Sequence, residues 1–276
     1  MSADLSPEDA ARALPMAAYF GRLGLDRVAP TCRGIATLQA AQIAAIPFEG
    51  IDPFLGIVPS LELAAIADKT LARGRGGYCF ELNALIGAAL AAAGVPARQV
   101  LARVRLGGVT DGPRSHVAWI AEAEGRSLLV DAGFGGPGPR LPLALDTPGP
   151  QACGNGTYRL RPEAGTGERL VERQGPDGWE PLYAFDMARV TRGDIAAANH
   201  VCATWGHSSF TRNLMVSGQD GATRVALRNR AATFEGPKGI VRREVADADA
   251  LHALLAGRLG LAIDAETCAR LWARLP

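Results

Sequence analysis

The sequence changes its periodicity once, at Pro96, and that change limits the fold more than any other feature. Before it the apolar residues recur at helical spacing; after it short stretches alternate. A chain ordered as helices first and strands second is α+β, because a parallel α/β sheet interleaves the two. Thr37 to Ile46, Leu61 to Leu71 and Phe80 to Ala93 read as helices, and Ser6-Pro7-Glu8-Asp9 as a helix start. Arg98 to Leu106, His116 to Ile120 and Ser127 to Asp131 read as strands, the last two joined by a turn with Gly125 near its tip. Residues 133 to 156 hold twelve Gly or Pro, which predicts a long functional loop. Thr157 to Arg161, Arg169 to Arg173 and Trp179 to Phe185 continue the strands, and a helix is expected near Asp194. The last segment mixes a hairpin (Leu214 to Ser217 with Thr223 to Leu227), a strand at Ile240 to Val245, and helices starting at Asp247 and Asp264. Three segments result: 1–95 helical, 96–205 β-rich, 206–276 mixed.

Charge excludes some partners. Lys plus Arg is 29 against 28 Asp plus Glu, a net charge of +1, so neither nucleic acid nor a membrane surface is expected. No run approaches the ~18 apolar residues of a membrane span. The N-terminal residues lack a signal-peptide pattern. The five cysteines (Cys32, Cys79, Cys153, Cys202, Cys268) are widely spaced with no CxxC pair, against a disulfide framework or a structural zinc site. The expectation is a cytoplasmic protein with reduced thiols and no metal.

The chemistry concentrates at Arg73-Gly74-Arg75-Gly76-Gly77-Tyr78-Cys79-Phe80-Glu81. Here a glycine-rich loop enters a helix, and Cys79 falls in its first turn. Free N–H groups and the helix dipole favour a thiolate there. Gly76 and Gly77 let the backbone turn sharply and approach a ligand. A buried structural cysteine is the competing reading. A thiol nucleophile needs a base and a group to orient the base. The hairpin supplies His116 and Asp131. If its turn centres near Ala123-Glu124, the two lie directly opposite, with Cβ atoms roughly 5 Å apart. A slip of one residue would put them on opposite faces. Alternatively, His116 is a core histidine and Asp131 a turn cap. His200, His207 and His252 read as incidental.

The run Arg75 to Glu81, with His116-Val117 and Val130-Asp131-Ala132-Gly133-Phe134-Gly135, resembles the arylamine N-acetyltransferase family. Tyr19 to Gly24, Ile46-Pro47-Phe48-Glu49 and Ser208-Ser209-Phe210 resemble it too, so the likeness covers most of the chain. It implies a helical bundle, an antiparallel β-barrel-like domain and an α/β lid, with a cysteine-protease-like triad of Cys79, His116 and Asp131 between the first two. It implies acetyl-CoA as donor cosubstrate and an aromatic amine or hydrazine as acceptor, handled by a monomer or homodimer. Phe48, Phe134 and Phe210 would line an apolar slot for the ring, and Gly133, Gly135 and Gly136 would approach CoA. Arg75 is expected to pair with Glu49 or Glu81. Gln42 and Gly50 depart from the family pattern of His and Asn, at positions that bear on support or substrate fit. An amide synthase of the same fold, a thiol hydrolase and an inactive binding module are the alternatives.

Overall fold

The computed structural model describes residues 14–276; the helix start expected at Ser6 to Asp9 lies outside them. The chain opens with α1 (Met16–Leu23) and α2 (Cys32–Ala45). Helix α2 begins earlier than its apolar pattern suggests because the Thr31 side chain accepts the Gly34 N–H at 3.1 Å, a polar cap upstream of the periodic residues. A two-residue strand β1 (Phe48–Glu49), a short α3 (Ile51–Phe54) and α4 (Leu63–Ala67) follow. Helix α4 widens into a π-turn over Asp68–Ala72. Helix α5 (Cys79–Ala92) is apolar all round and buries eleven of its fourteen residues, so it is a central helix rather than an amphipathic surface one.

Two antiparallel sheets follow. The larger holds β2 (Ala97–Val104), β3 (Arg114–Ala123), β4 (Arg126–Val130), β5 (Leu143–Ala144), β6 (Gln151–Ala152), β7 (Thr157–Pro162), β8 (Arg169–Gly175) and β9 (Gly178–Phe185), in the order β5-β4-β3-β2-β9-β8-β7-β6. Its two end strands meet through one side chain. The Gln151 amide accepts the Ala144 N–H at 2.9 Å and donates to the Ala144 carbonyl at 3.0 Å, standing in for a peptide group. The sheet is therefore a nearly closed barrel, which protects edges that would otherwise offer unpaired groups. The proline- and glycine-rich stretch expected as loop contributes these two short strands.

Helices α6 (Arg192–Thr204) and α7 (Ser209–Arg212) lead to the second sheet. It contains β10 (Met215–Asp220), β11 (Thr223–Arg228), β12 (Ala231–Gly236) and β13 (Gly239–Glu244), ordered β1-β10-β11-β12-β13. Strand β12 was not expected. Asn229, at φ 55°, makes the tight turn that admits it. Helices α8 (Ala248–His252), extended by a π-turn to Arg258, and α9 (Ala265–Arg274) pack behind this sheet. Strand β1 comes from the helical segment yet pairs with β10, Phe48 opposite Ser217.

The largest core joins the helices to the barrel: Leu38, Leu82, Leu85 and Ile86 pack with Trp119, Leu128 and Val130. Within it Gly87 packs against Trp119, whose indole N–H donates to the Asn83 carbonyl at 2.7 Å. A Cβ on Gly87 would lie 2.1 Å from Trp119 Cζ2. The helix-propensity gain of ~1 kcal/mol for Gly→Ala is smaller than the ~1–3 kcal/mol or more that overpacking costs. Gly87→Ala is expected to lower the melting temperature by several degrees in a thermal unfolding scan. Adding Trp119→Phe should recover part of the loss; an unchanged midpoint in the single variant would remove this contact from the account.

Candidate active site

Strands β3 and β4 join through a two-residue turn, Glu124 at φ 52° and Gly125 at φ 73°. The pairing Ala123–Arg126 and Trp119–Val130 follows. This corrects the expected register. Asp131 falls one step beyond the Trp119–Val130 pair, and so not opposite His116. The displacement is two residues, which preserves the face, and the two side chains meet diagonally. His116 Nε2 lies 2.7 Å from Asp131 Oδ2, with both residues buried.

The Asp131 carboxylate is held on every side. Its Oδ1 accepts the Asn83 side-chain amide and the Gly133 N–H, each at 3.0 Å. Its own N–H donates to Gln39 Oε1 at 3.0 Å. Burial alone would raise its pKa, but His116, Asn83 and Gly133 together hold it below the usual carboxylate range. Asn83 and Gln39 escaped sequence reasoning. Asn83 carried a usable signal, as an amide one turn after Cys79 in a helix whose only other polar side chain beyond Cys79 is Glu81. The same side chain donates to the Val117 carbonyl at 2.7 Å and accepts the Ala132 N–H at 3.1 Å.

Cys79 opens α5 and is buried. Its sulfur meets the Ser115 carbonyl oxygen at 3.7 Å and the N–H groups of Phe80 and Val117. Ser115 and Val117 flank His116, so the thiol rests against the strand that carries the base. Burial pushes the thiol well above its ordinary range, and Cys202 and Asp131 add to this, while the two N–H groups pull it down. Desolvation thus opposes the thiolate preference expected from the helix terminus. Gly76 and Gly77 also differ from expectation. A Cβ at Gly76 would lie 2.2 Å from the Pro47 carbonyl, and one at Gly77 2.9 Å from Glu81 Cβ. Their bareness admits the protein's own groups.

Beneath the loop lies a buried cluster of two cations and three carboxyls. Arg75 reaches Glu49 at 2.7 Å and Asp52 at 3.0 Å, confirming the first expected partner and replacing the second. Glu81 is taken by Lys69 at 2.9 Å, which also binds Asp52 at 2.7 Å. The π-turn in α4 carries Lys69 into this position. The other Glu81 oxygen accepts the Tyr78 N–H at 3.0 Å and so caps the helix that starts at Cys79.

The aromatic candidates separate into two places. Phe134 packs on His116 at 5.1 Å and on Tyr183 at 4.9 Å between ring centres. Phe210 sits by Tyr78 at 5.4 Å and Phe48 at 6.2 Å. Phe48 and Phe134 line a cleft beside Asp131, together with Gly135, Gly136, Arg140 and Arg224. Gly133 packs on Asn83 and the Cys79 backbone, and Gly135 on the Phe48 ring; Gly136 faces open space. Gln42 accepts the Tyr19 hydroxyl at 2.5 Å and donates to the Leu82 carbonyl at 2.8 Å, a bracing role. His252 bonds the Ile263 carbonyl, and His207 meets Trp205 edge to face. Among the described residues no group of His, Cys, Asp or Glu is arranged to hold a metal, and no helix is long and apolar enough to cross a membrane.

The charge cluster has one carboxyl in excess of its cations. Burial, with the Glu49 carboxylate adding, pushes Glu81 up to about 7, against the pull of Lys69 and the Tyr78 N–H. The folded protein then holds a proton that the unfolded chain releases above ~4.5. Stability from this group is therefore highest below ~4.5 and falls as pH rises to about 7, after which it is level. Measured by thermal unfolding from pH 5 to 8, the parent should lose stability relative to Glu81→Gln across that window. The change cannot exceed ~1.4 kcal/mol per pH unit; parallel curves would contradict it.

The N-acetyltransferase family matches residues 32–268. The chain is 31% identical to the arylamine N-acetyltransferase / N-hydroxyarylamine O-acetyltransferase of Salmonella typhimurium, covering 90% of this chain and 89% of that protein. It is 33% identical to the arylamine N-acetyltransferase of Mycobacterium tuberculosis, covering 90% of each. Among solved structures, the Salmonella typhimurium enzyme superposes with a TM-score of 0.87 at 30% identity, over 94% of this chain and 97% of that one. The Mycobacterium marinum enzyme in complex with CoA superposes with a TM-score of 0.86 at 30% identity over the same shares.

Proposed function

Since the chain belongs to the arylamine N-acetyltransferase family, we propose that it transfers an acetyl group from acetyl-CoA to the nitrogen of arylamines, arylhydrazines or related aromatic amines, by way of an acetyl-cysteine at Cys79. The observation that carries the assignment of residues is the buried His116–Asp131 pair, 2.7 Å apart, with His116 on the strand whose Ser115 carbonyl meets the Cys79 sulfur. Asp131 on Nε2 fixes the tautomer and leaves Nδ1 to receive a proton. Loss of the Cys79 proton to Nδ1 frees the sulfur to attack the thioester carbonyl. The new C–S bond forms as the C–S bond to CoA breaks, and the CoA sulfur takes the proton from His116. The amine then attacks the acetyl-cysteine, gives its proton to His116, and Cys79 leaves and is reprotonated. These are two half-reactions with ping-pong kinetics. A backbone N–H at the start of α5, that of Cys79 itself, is the expected donor to the oxyanion.

Phe48 and Phe134 in the cleft, and Phe210 beside Phe48, support an apolar slot for the acceptor ring. Gly133, Gly135 and Gly136 remain the proposed approach for CoA; the open space at Gly136 and the nearby Arg140 favour it. The segments 1–95, 96–205 and 206–276 serve as the functional divisions of this reading. The five free cysteines suit a reducing cytoplasm.

Incubation with acetyl-CoA should add one acetyl group by intact mass, lost in Cys79→Ala and discharged on adding an arylamine. Folded protein that takes no label would sink the proposal. Decay at one rate with and without amine would point to a hydrolase. Asp131→Asn should fold yet acetylate about a thousandfold or more slowly, since the amide supports the wrong imidazole tautomer. Single-turnover labelling reads this directly, and near-parent rates would remove Asp131 from the mechanism.

A further inference from the structure

Acetyl transfer leaves Cys202 unused, yet its sulfur meets the same acceptor as the sulfur of Cys79. The Ser115 carbonyl oxygen lies 3.4 Å from Cys202 Sγ and 3.7 Å from Cys79 Sγ. Two S–H groups thus converge on one oxygen, and the sulfurs are no further apart than the sum of those distances. Cys202 is in the last turn of α6 and buried in the same apolar cluster as Tyr78, Cys79 and Val117. The other cysteines are placed elsewhere: Cys32 on the Ala123 carbonyl, Cys153 on the Gln151 carbonyl, and Cys268 in the core behind the second sheet.

We propose that Cys202 is a resolving thiol for Cys79: when a hydroperoxide oxidises Cys79, Cys202 captures it as an intramolecular disulfide. In the first step the Cys79 sulfur attacks the peroxide. An S–O bond forms, the O–O bond breaks, and the alcohol or water leaves with the proton given up by the thiol. Cys79 is then a sulfenic acid. In the second step the Cys202 sulfur attacks that of Cys79. The S–S bond forms, the S–O bond breaks, and water leaves with the Cys202 proton. Two electrons pass from the two thiols to one peroxide. Without a neighbouring thiol the sulfenic acid proceeds to sulfinic acid, which thiol reductants do not reverse; the disulfide they do reverse. An S–S bond of ~2.05 Å requires both side chains to turn from the Ser115 carbonyl toward each other. Only weak S–H···O contacts are given up in that turn.

The proposal rests on Cys79 being the reactive thiol of the reading above, but its readout is mass rather than acetyl transfer. Reduced, desalted full-length protein is treated with hydrogen peroxide in molar excess, because a disulfide consumes one peroxide and a two-oxygen product consumes two. Free thiols are then blocked, and intact and peptide masses are read without reduction. The expected product has lost two hydrogen atoms and yields a peptide pair joined through Cys79 and Cys202. A thiol reductant should then restore both the parent mass and acetyl labelling. In Cys202→Ala, Cys79 should gain two oxygen atoms and stay inactive after reduction. Three results overturn the proposal: two-oxygen addition to the parent as readily as to the variant, a disulfide joining other cysteines, or a Cys79 unchanged by peroxide. If the disulfide forms but acetyl-CoA never labels Cys79, the transferase reading falls and this one stands.

Discussion

One buried carboxylate holds the site together. Removing an ion from water costs several kcal/mol unless it is paired and hydrogen-bonded, and Asp131 meets that demand with groups from separate parts of the chain. His116 comes from β3, Asn83 from α5 and Gly133 from the loop after β4, while Gln39 from α2 accepts the Asp131 backbone N–H. None is close to the others in sequence except through Asp131 itself. The carboxylate thus fixes the helices against the barrel as well as the imidazole against the thiol. A change at Asn83 would leave part of the charge uncompensated, so site geometry and domain docking are one problem here.

The five-charge cluster does the same for the other end of the site. Glu81 caps α5 through the Tyr78 N–H, and Lys69 and Arg75 tie it through Asp52 and Glu49 to α3 and β1. Lys69 is buried in a chain whose basic residues are otherwise mostly arginine. A compact ammonium with three rotatable donors suits a pocket walled by carboxyls better than a planar guanidinium. Cys79 is therefore set at a fixed height on its helix by electrostatics below it, while Asn83 sets the same helix against Asp131 one turn later. Cys79 and Asp131 are positioned by one helix.

The order of elements and the meeting of His116 with Asp131 were legible because they follow local rules: periodicity, caps and a glycine turn. The register was legible only to within two residues, because Glu124 adopts a left-handed conformation that a non-glycine residue rarely signals. The error left the pairing intact because the side-chain period of a strand is two. Strands β5 and β6 were missed because each is only two residues long and held by pairing and the Gln151–Ala144 bridge, and β12 because its turn rests on the left-handed Asn229, a non-glycine residue. Gly76 and Gly77 were read as room for a ligand because a glycine-rich loop before a helix carries that expectation. What fills them, the Pro47 carbonyl and the Glu81 side chain, is set by tertiary packing.

Burial of the thiol has a chemical consequence beyond its ionisation. An acetyl-cysteine is itself a thioester, and the reaction is productive only if an amine reaches it before water does. Tyr78, Cys79, Phe80 and Val117 share one buried apolar cluster, and Phe48 and Phe210 pack against it. Exclusion of water strengthens the His116–Asp131 interaction and slows the wasteful reaction together. Gly50 contributes to this closure. A Cβ there would lie 2.9 Å from the Phe210 ring, so a larger residue would force the ring to turn. The backbone at Gly50, with φ −104°, imposes no need for glycine. Its place in this chain is therefore explained by the aromatic ring it admits rather than by conformation. The departure at Gly50 from the family pattern is thus a packing choice against Phe210.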